Sequence, residues 1–279
     1  MVSVATILSC CVSLLVSLVL PVLLPAALSI RFRKQGILSA WALGAAGFVV
    51  TQVLIRLPIL TALQSQPWFT AFSQKHLFAY AFSLAFTAGL FELAGRFAVA
   101  KLMKNRLTLP RSLAAGLGHG GIEAILLVGI TYINNLVYIF MINSGTFDTV
   151  IAQTAASGVD PAQLELIRTQ FLTASPALFL LGGFERILAM ICHAAMSMLV
   201  CYGVAHKKVL PCILLCLAIH TGIDLTAGIS LLTGSVLTQT AAYLIIYTIL
   251  VVTAVFSLLI LRELSRRWQI KEVSHDSEK

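Results

Sequence analysis

Ionisable side chains recur inside the apolar stretches of this sequence, where a charge is costly to place. Only 11% of the 279 residues are Asp, Glu, Lys or Arg, and a charge at the centre of a bilayer costs about 2.5–3.5 kcal/mol on insertion scales. The ionisable residues that stand out in these stretches are Glu92, Arg96, His119, Glu123, Glu185, Arg186, His193, His220 and Asp224. A set of this size indicates that the groups pair with one another or carry out chemistry.

The spacing of these residues places them in pairs on single helix faces. Three pairs are four residues apart, namely Glu92–Arg96, His119–Glu123 and His220–Asp224. Side chains at i and i+4 are neighbours on a helix. Measured from the basic residue nearest along each helix, Glu92, His193 and both His–acid pairs lie about 12–24 Å deep. Residues of four helices therefore converge on one layer, whereas Glu185 and Arg186, about 32–33 Å deep, are interpreted as a separate structural feature.

A carboxylate beside an imidazole, in a cavity shielded from bulk water, can activate a water molecule for attack on a carbonyl. Histidines together with a carboxylate also match the mixed nitrogen and oxygen ligands of zinc. The expected ligands, if a metal is present, are His119, His193, His220 and Glu123. The sequence has no HExxH motif, and the spacing from His119 to Glu123 has a different geometry. The expected cofactor is therefore none or zinc.

The segment around His119 is unusually rich in glycine. Gly116, Gly118, Gly120 and Gly121 surround this histidine. Glycines on a membrane helix let another backbone approach closely. Such a helix can also widen or break, and irregular backbone at membrane depth is tolerated where it lines a wet cavity.

The elements that position these residues are membrane-spanning helices. The chain is 59% hydrophobic, with a mean hydropathy of +0.95, which is typical of a polytopic protein of the cell membrane. We expect an all-α fold with about seven spans, because runs of 20 or more residues can cross about 30 Å of hydrocarbon. The predicted spans are 4–30, 36–60, 77–100, 112–142, 174–205, 209–232 and 236–261. The first run lacks a basic segment before it, so we expect a retained span rather than a cleaved signal peptide.

Basic residues predict the orientation of these spans. Fourteen of the 19 Lys and Arg residues follow the first, third, fifth or seventh span. The positive-inside rule then places the N-terminus outside and the C-terminus in the cytoplasm. The net charge of +8 follows from this bias. It therefore predicts contact with membrane lipid, and no nucleic-acid partner.

The chain is predicted to form one transmembrane helical domain, residues 1–261, followed by a basic to polar cytoplasmic tail, residues 262–279. The longest connection, 143–172, is expected to lie outside and to hold a helix that starts at Asp160–Pro161. Six cysteines fall within the spans. Cys212 and Cys216 extend the stripe of His220 and Asp224, and we interpret them as packing residues rather than as thiolate ligands.

Four blocks, taken in order, resemble a known family. They are FELAGR (91–96), GHGGIEA (118–124), FERILAMICH (184–193) and HTGID (220–224). They resemble the YhfC family of membrane peptidases, which is related to the type II CAAX prenyl endopeptidases, the PrsW proteases and the Aph subunit of gamma-secretase. The likeness covers residues 85–260, roughly, and implies that a glutamate with histidines activates the attacking water. It implies functional roles for Glu92, Arg96, His119, Glu123, His193, His220 and Asp224.

One position departs from the pattern of the relatives. Their first motif carries paired glutamates, whereas here Leu93 follows a single Glu92. Three explanations stay open: Glu92 suffices, Glu123 acts as the base, or the chain has no catalysis. The first expectation is an intramembrane endopeptidase acting on a membrane-embedded or lipid-modified protein or peptide. The alternatives are a non-catalytic scaffold subunit and a proton-coupled transporter, although the matching halves common in carriers are not found.

Overall fold

A computed structural model describes the backbone of residues 1–230 and 238–276, with side chains placed through Trp268. Every regular element in these ranges is helical, and they contain no strand. The predicted span ends at 232 and 236, and the side chains of the tail from 269 onward, lie outside the described residues.

Seven helical stretches in the described residues are long and apolar enough to cross a membrane, so the predicted all-α fold with seven spans is confirmed. They are Val4–Arg31, Ile37–Gln64, Leu77–Leu102, Leu109–Ser144, Pro176–Ala205, Val209–Ser230 and Gln239–Trp268. The chain is therefore a multi-pass membrane protein. Its orientation stays a prediction.

Several spans are composed of more than one helix. In chain order the α-helices are α1 Val4–Arg31, α2 Ile37–Phe48, α3 Leu57–Gln64, α4 Pro67–Lys75, α5 Leu77–Leu102, α6 Leu109–Glu123, α7 Ile130–Ser144, α8 Thr146–Ala156, α9 Ala162–Thr173, α10 Pro176–Ala205, α11 Val209–Ser230 and α12 Gln239–Asp276. A first π-helix, Val49–Arg56, joins α2 to α3, and a second, Ala124–Gly129, joins α6 to α7. A short 3-10 turn, Lys104–Arg106, follows α5.

The ends of two helices bear on the predictions, one as expected and one not. The glycine-rich helix was expected to be able to widen or break, and it does widen, in the second π-helix directly after Glu123. The last helix continues to Asp276, into the segment predicted as a polar tail. Glu263 accepts hydrogen bonds from Arg266 at 3.0 Å and from Arg267 at 2.6 Å. Ion pairs at i,i+3 and i,i+4 stabilise an exposed helix, which accounts for helical structure beyond the apolar run.

The connection 143–172 contains two helices, α8 and α9. The Oδ1 atom of Asp160 accepts a hydrogen bond from the backbone N–H of Ala162 at 2.9 Å. This bond satisfies one of the N–H groups that a helix leaves free at its start. A helix therefore begins at the predicted place, but one residue later than expected, with Pro161 as its N-cap and Ala162 as its first residue.

The chain divides into two compact units. The first comprises Met1–Val22 and Glu123–Ile187. Its apolar core contains Val2, Cys10, Tyr132, Ile139, Phe171 and Phe179. The carbonyl oxygen of Phe179 accepts from the Ser13 hydroxyl at 2.6 Å and from the Tyr132 hydroxyl at 2.5 Å. These two bonds connect α1, α7 and α10 inside this unit.

The second unit comprises Leu23–Ile122 and Leu188–Lys279. Its core centres on the C-terminal part of α10, where Met196 and Cys192 are buried. Glycines on α6 allow two neighbouring helices to approach it closely. A Cβ atom on Gly118 would lie 2.0 Å from the carbonyl oxygen of Trp41 in α2, and one on Gly120 would lie 2.7 Å from Cβ of His193 in α10. The predicted close approach is confirmed, and it holds His119 between two helices.

The orientation can be tested with reporter fusions. We expect reporters after Lys104, after Lys208 and at the C-terminus to report cytoplasm, and a tag near Asp160 to report the outside, because of the bias in basic residues. Protease protection or thiol labelling in intact cells checks each position. A cytoplasmic 143–172 segment would contradict the predicted orientation and the depths derived from it.

Candidate active site

Glu92 lies near the middle of α5 and is only 3% exposed. Its Oε2 atom is 2.9 Å from Nε2 of His119 and 2.7 Å from Nε2 of His220. The same oxygen accepts a hydrogen bond from Nη2 of Arg96 at 3.1 Å. An ionised carboxylate can only accept, so both imidazoles donate from Nε2. Three donors from α5, α6 and α11 therefore meet at one oxygen atom.

Arg96 is one turn after Glu92 on α5 and is 2% exposed. Its Nη2 atom lies 2.6 Å from Nδ1 of His193. Because a guanidinium has no acceptor, this imidazole nitrogen accepts and the proton of neutral His193 lies on Nε2. The Nε and Nη1 atoms of Arg96 are buried without a hydrogen-bond partner among the described residues. Within the described part of the chain, these two charged donors face no acceptor.

The three imidazole rings surround the carboxylate. The rings of His119 and His193 are stacked, with centroids 5.5 Å apart and an angle of 25°. The rings of His193 and His220 are 5.9 Å apart and nearly perpendicular, at 85°. The rings of Phe48 and His119 are nearly perpendicular, at 79°, with centroids 5.3 Å apart. The structure thus brings together Glu92, Arg96, His119, His193 and His220, which we call the Glu92 cluster.

Asp224 lies at the edge of the Glu92 cluster, one turn after His220 on α11. Its Oδ2 atom is 3.3 Å from Nδ1 of His220. This distance is an electrostatic contact, because Nδ1 has no well-aligned hydrogen bond in the described residues. The side chain of Asp224 is 32% exposed. Asp224 is thus placed to orient His220, and the imidazole of His220 lies between Asp224 and Glu92.

Glu123 belongs to the first unit, where its partner is an arginine. Nη1 of Arg186 donates to Oε1 of Glu123 at 3.1 Å. Arg186 also contacts its neighbour Glu185 directly. Glu185 and Arg186 are adjacent on α10, and consecutive residues of a helix point to different faces. The long guanidinium side chain nevertheless reaches both carboxylates. A role for Glu123 as a base or a metal ligand stays a prediction.

Comparison with known sequences shows the family to which this chain belongs. The sequence profile of the YhfC intramembrane metalloprotease family matches residues 20–250. The chain belongs to the YhfC intramembrane metalloprotease family. It is also similar to YhfC, an uncharacterized membrane protein of Bacillus subtilis (strain 168), with 35% identity over 189 residues. That match covers 67% of this chain and 72% of the relative. No solved structure matches the chain.

The YhfC family is described as one of metalloproteases. The Glu92 cluster contains donor atoms of the kind that bind a metal ion. Glu92, His119 and His193 each offer one ligand atom, and these atoms lie within 4.8 Å of one another. All three residues are buried. Imidazole nitrogen and carboxylate oxygen are zinc ligands, so this group can hold a metal ion. It contains two of the predicted ligands, His119 and His193, with Glu92 as its acid.

Arg96 bears on the same question. Its guanidinium contacts two of the three candidate ligands, at 3.1 Å from Glu92 and 2.6 Å from His193. A positive charge at these distances opposes a second cation at the same ligands. In this YhfC family member, the donor atoms of the Glu92 cluster therefore suit a metal ion, but Arg96 already places a positive charge beside them.

One buried charge of the second unit was missed in the sequence. Arg56 lies at the end of the first π-helix and is 9% exposed. Its Nη2 atom donates to the carbonyl oxygen of Leu84 at 2.8 Å. The signal was present, because Arg56 is a charge inside the predicted span 36–60, like the acids that were selected.

The two cysteines of α11, Cys212 and Cys216, are expected to have little effect on cleavage when they are replaced. Cys212 is 7% exposed and Cys216 is fully buried. Cys212 packs close to Gly203, where an added Cβ atom would lie 2.8 Å from the Cβ of the cysteine. Replacing both cysteines with alanine should leave peptide cleavage within about twofold of wild type, because buried cysteine acts as a small apolar residue. Loss of cleavage with an unchanged melting temperature would instead indicate a thiolate ligand.

Proposed function

We propose that this chain is an intramembrane endopeptidase in which Glu92 is the general base that activates water. The observation that supports this proposal is the convergence of three donors on the single oxygen Oε2. These donors hold the carboxylate in one orientation through Oε2, and we assign the contact with the attacking water to its other oxygen, Oε1. A fixed base of this kind accelerates hydrolysis by about 100- to 10,000-fold.

The reaction needs one proton acceptor and one oxyanion partner. Glu92 takes a proton from water while the water oxygen attacks the carbonyl carbon of the peptide bond. The C=O electron pair moves to the carbonyl oxygen, which becomes an oxyanion. Nε and Nη1 of Arg96, both buried and without an acceptor in the described residues, are suited to stabilise this oxyanion. When the C–N bond breaks, Glu92 returns its proton to the leaving amine.

The histidines keep the base in position. His119 and His220 donate to Oε2 of Glu92, which holds Oε1 toward the substrate. His193 accepts from Arg96 at 2.6 Å and so fixes the guanidinium. In a site closed to bulk water such preorganised dipoles contribute more than they would in water.

Glu92, His119 and His193 would hold a divalent metal, which would supply a Lewis acid that polarises the carbonyl and lowers the pKa of a bound water molecule. The chain itself offers Arg96 as positive charge beside the same base. We therefore favour the mechanism based on glutamate and histidine.

The scaffold alternative depends on the second position of the first motif. Leu93 is 7% exposed and belongs to the apolar core of the second unit. The side chain at this position thus packs against the core. Leu93 supplies no second acid at this motif, so the proposal depends on Glu92. A scaffold subunit on the same fold would have no need of it.

The proposal is tested with purified protein in liposomes and a panel of fluorogenic transmembrane and lipid-modified peptides. Wild-type protein should cleave at least one of them, and Glu92→Gln should not. Glu123→Gln is measured in parallel to test whether the second acid contributes. If both variants cleave like wild type, the carboxylates are structural and the endopeptidase proposal is wrong.

Metal removal separates the two forms of hydrolysis. We expect prolonged chelation to leave the cleavage rate within about twofold of the untreated protein, because Arg96 supplies the positive charge beside Glu92. Elemental analysis of the same preparation serves as the control. Loss of cleavage on chelation, with recovery on adding zinc, would contradict this expectation and favour metal hydrolysis.

A further inference from the structure

A cavity lies in the second unit, beside the Glu92 cluster. It has a volume of about 400 Å³, within the range of about 300–1,000 Å³ that is usual for ligand sites. The first π-helix, α5 and α11 form its walls. Most of the apolar residues in its walls are small, namely Ala81, Ala85, Ala88, Ala227 and Gly228. Small side chains leave room for an occupant between these helices.

Two polar groups of this cavity, Gln52 and Arg56, come from the first π-helix, and Tyr80 and Asp224 add one each from α5 and α11. The Oε1 atom of Gln52 is buried without a hydrogen-bond partner among the described residues. One turn later, Arg56 places a guanidinium in the cavity wall while one of its nitrogens bonds Leu84. The cavity thus offers an unused acceptor and a charged donor. π-helical turns are rare and occur frequently at functional sites.

The cavity also connects to the candidate base. Asp224 lines it and lies 3.3 Å from Nδ1 of His220, whose Nε2 atom is 2.7 Å from Oε2 of Glu92. One histidine therefore separates an occupant of the cavity from the carboxylate. A site at this position is suited to bind the part of a substrate that continues from the scissile bond.

We propose that this cavity binds an unwound stretch of the backbone of a transmembrane substrate. A peptide bond inside a helix is shielded, and unwinding exposes N–H and C=O groups that hydrocarbon cannot satisfy. Gln52 Oε1 accepts one such N–H, and Arg56 donates to one such C=O. The inference rests on the proposed endopeptidase function and names its substrate class, a membrane helix that can be locally unwound.

Other occupants fit the cavity less well. A lipid or prenyl chain has no group to satisfy the buried oxygen of Gln52 or the charge of Arg56. An anion would meet the carboxylate of Asp224 in the same wall. A peptide backbone carries one donor and one acceptor per residue, which matches the two kinds of group present.

The test uses two synthetic transmembrane peptides of about 20 residues, each with a photoreactive leucine. One is a continuous Leu–Ala helix, and the other is interrupted at its centre by Gly-Pro-Gly. Cross-linking is measured in liposomes with the full-length chain carrying Glu92→Asp, which retains the charge of the site. Ala227→Leu fills the cavity, and Gln52→Leu removes its acceptor. Ala79→Leu enlarges an exposed alanine of α5 outside the cavity lining and is the matched control.

We expect the interrupted peptide to cross-link at least about tenfold more than the continuous one. Ala227→Leu and Gln52→Leu should each reduce that cross-linking by about tenfold, and Ala79→Leu should not. Equal cross-linking of both peptides, or equal behaviour of Ala227→Leu and Ala79→Leu, would overturn the proposal. So would displacement of the peptide by a prenyl or acyl lipid. Absence of cleavage by wild-type protein, with the cavity variants still losing cross-linking, would refute the endopeptidase function and leave the binding site standing.

Discussion

Replacing Glu92 with glutamine should lower peptide cleavage by about 100- to 10,000-fold. Glutamine keeps the size of the side chain but removes its negative charge and its ability to accept a proton. The two imidazoles that donate to Oε2 at 2.7 and 2.9 Å would lose their anionic partner. Cleavage of the fluorogenic panel in liposomes, as initial rate per folded protein, checks this prediction.

The same variant should also be less stable, since the structure shows a partner that the substitution would strand. Arg96 is 2% exposed and donates to Glu92, and breaking a buried ion pair from one side costs about 3–5 kcal/mol. Glu92→Asp is the matched control, because it retains the charge beside Arg96 and withdraws the carboxylate from both histidines. We expect it to melt closer to wild type and still lose at least about 100-fold in cleavage. Full activity of Glu92→Asp would argue against a positioned base.

The second large effect concerns packing. Gly118→Ala should lower the melting temperature by about 6–12 °C, which corresponds to about 3 kcal/mol of overpacking. A Cβ atom at this position would lie 2.0 Å from the carbonyl oxygen of Trp41 and 3.0 Å from its Cα atom. Both are backbone atoms, so α2 must move away from α6. His119 is the next residue, and its hydrogen bond to Glu92 should be lost along with cleavage.

Gly222→Ala provides the control for that experiment. Gly222 is also helical, two residues after His220, and an added Cβ atom would meet nothing within 4 Å. Alanine should raise stability there by about 0.5–1 kcal/mol, since it restricts the unfolded chain. Melting curves in detergent and cleavage rates are compared for both variants. If Gly118→Ala melts like Gly222→Ala, the close approach of α2 and α6 is incorrect.

Much of the fold follows from hydropathy, because a run of apolar residues long enough to cross a bilayer has few alternatives to a helix. The family resemblance is confirmed by the match over residues 20–250. The Glu92–Arg96 contact follows from i,i+4 spacing alone, and the glycines predicted the close approach at His119. These inferences depend on local sequence, or on distances along one helix.

The sequence could not show that Glu92 meets two of the histidines. Glu92 and Glu123 were both at suitable depths, and the partner of each depends on how the helices are rotated about their axes. Glu123 contacts Arg186, whereas Glu92 contacts two imidazoles. The first π-helix was also not predictable, since nothing in the sequence VVTQVLIR distinguishes a π-helical turn from an α-helical one.

The ion pair within α5 also bears on how the protein is made. Glu92 and Arg96 are synthesised together, whereas His193 and His220 lie about 100 or more residues later in the chain. When α5 leaves the ribosome and meets the translocon, the glutamate has no imidazole to donate to it. Arg96, 3.1 Å away on the same helix, allows the segment to enter the bilayer without a net charge from the pair. We therefore expect the arginine to act first during biosynthesis, before the histidines are made and the site is complete.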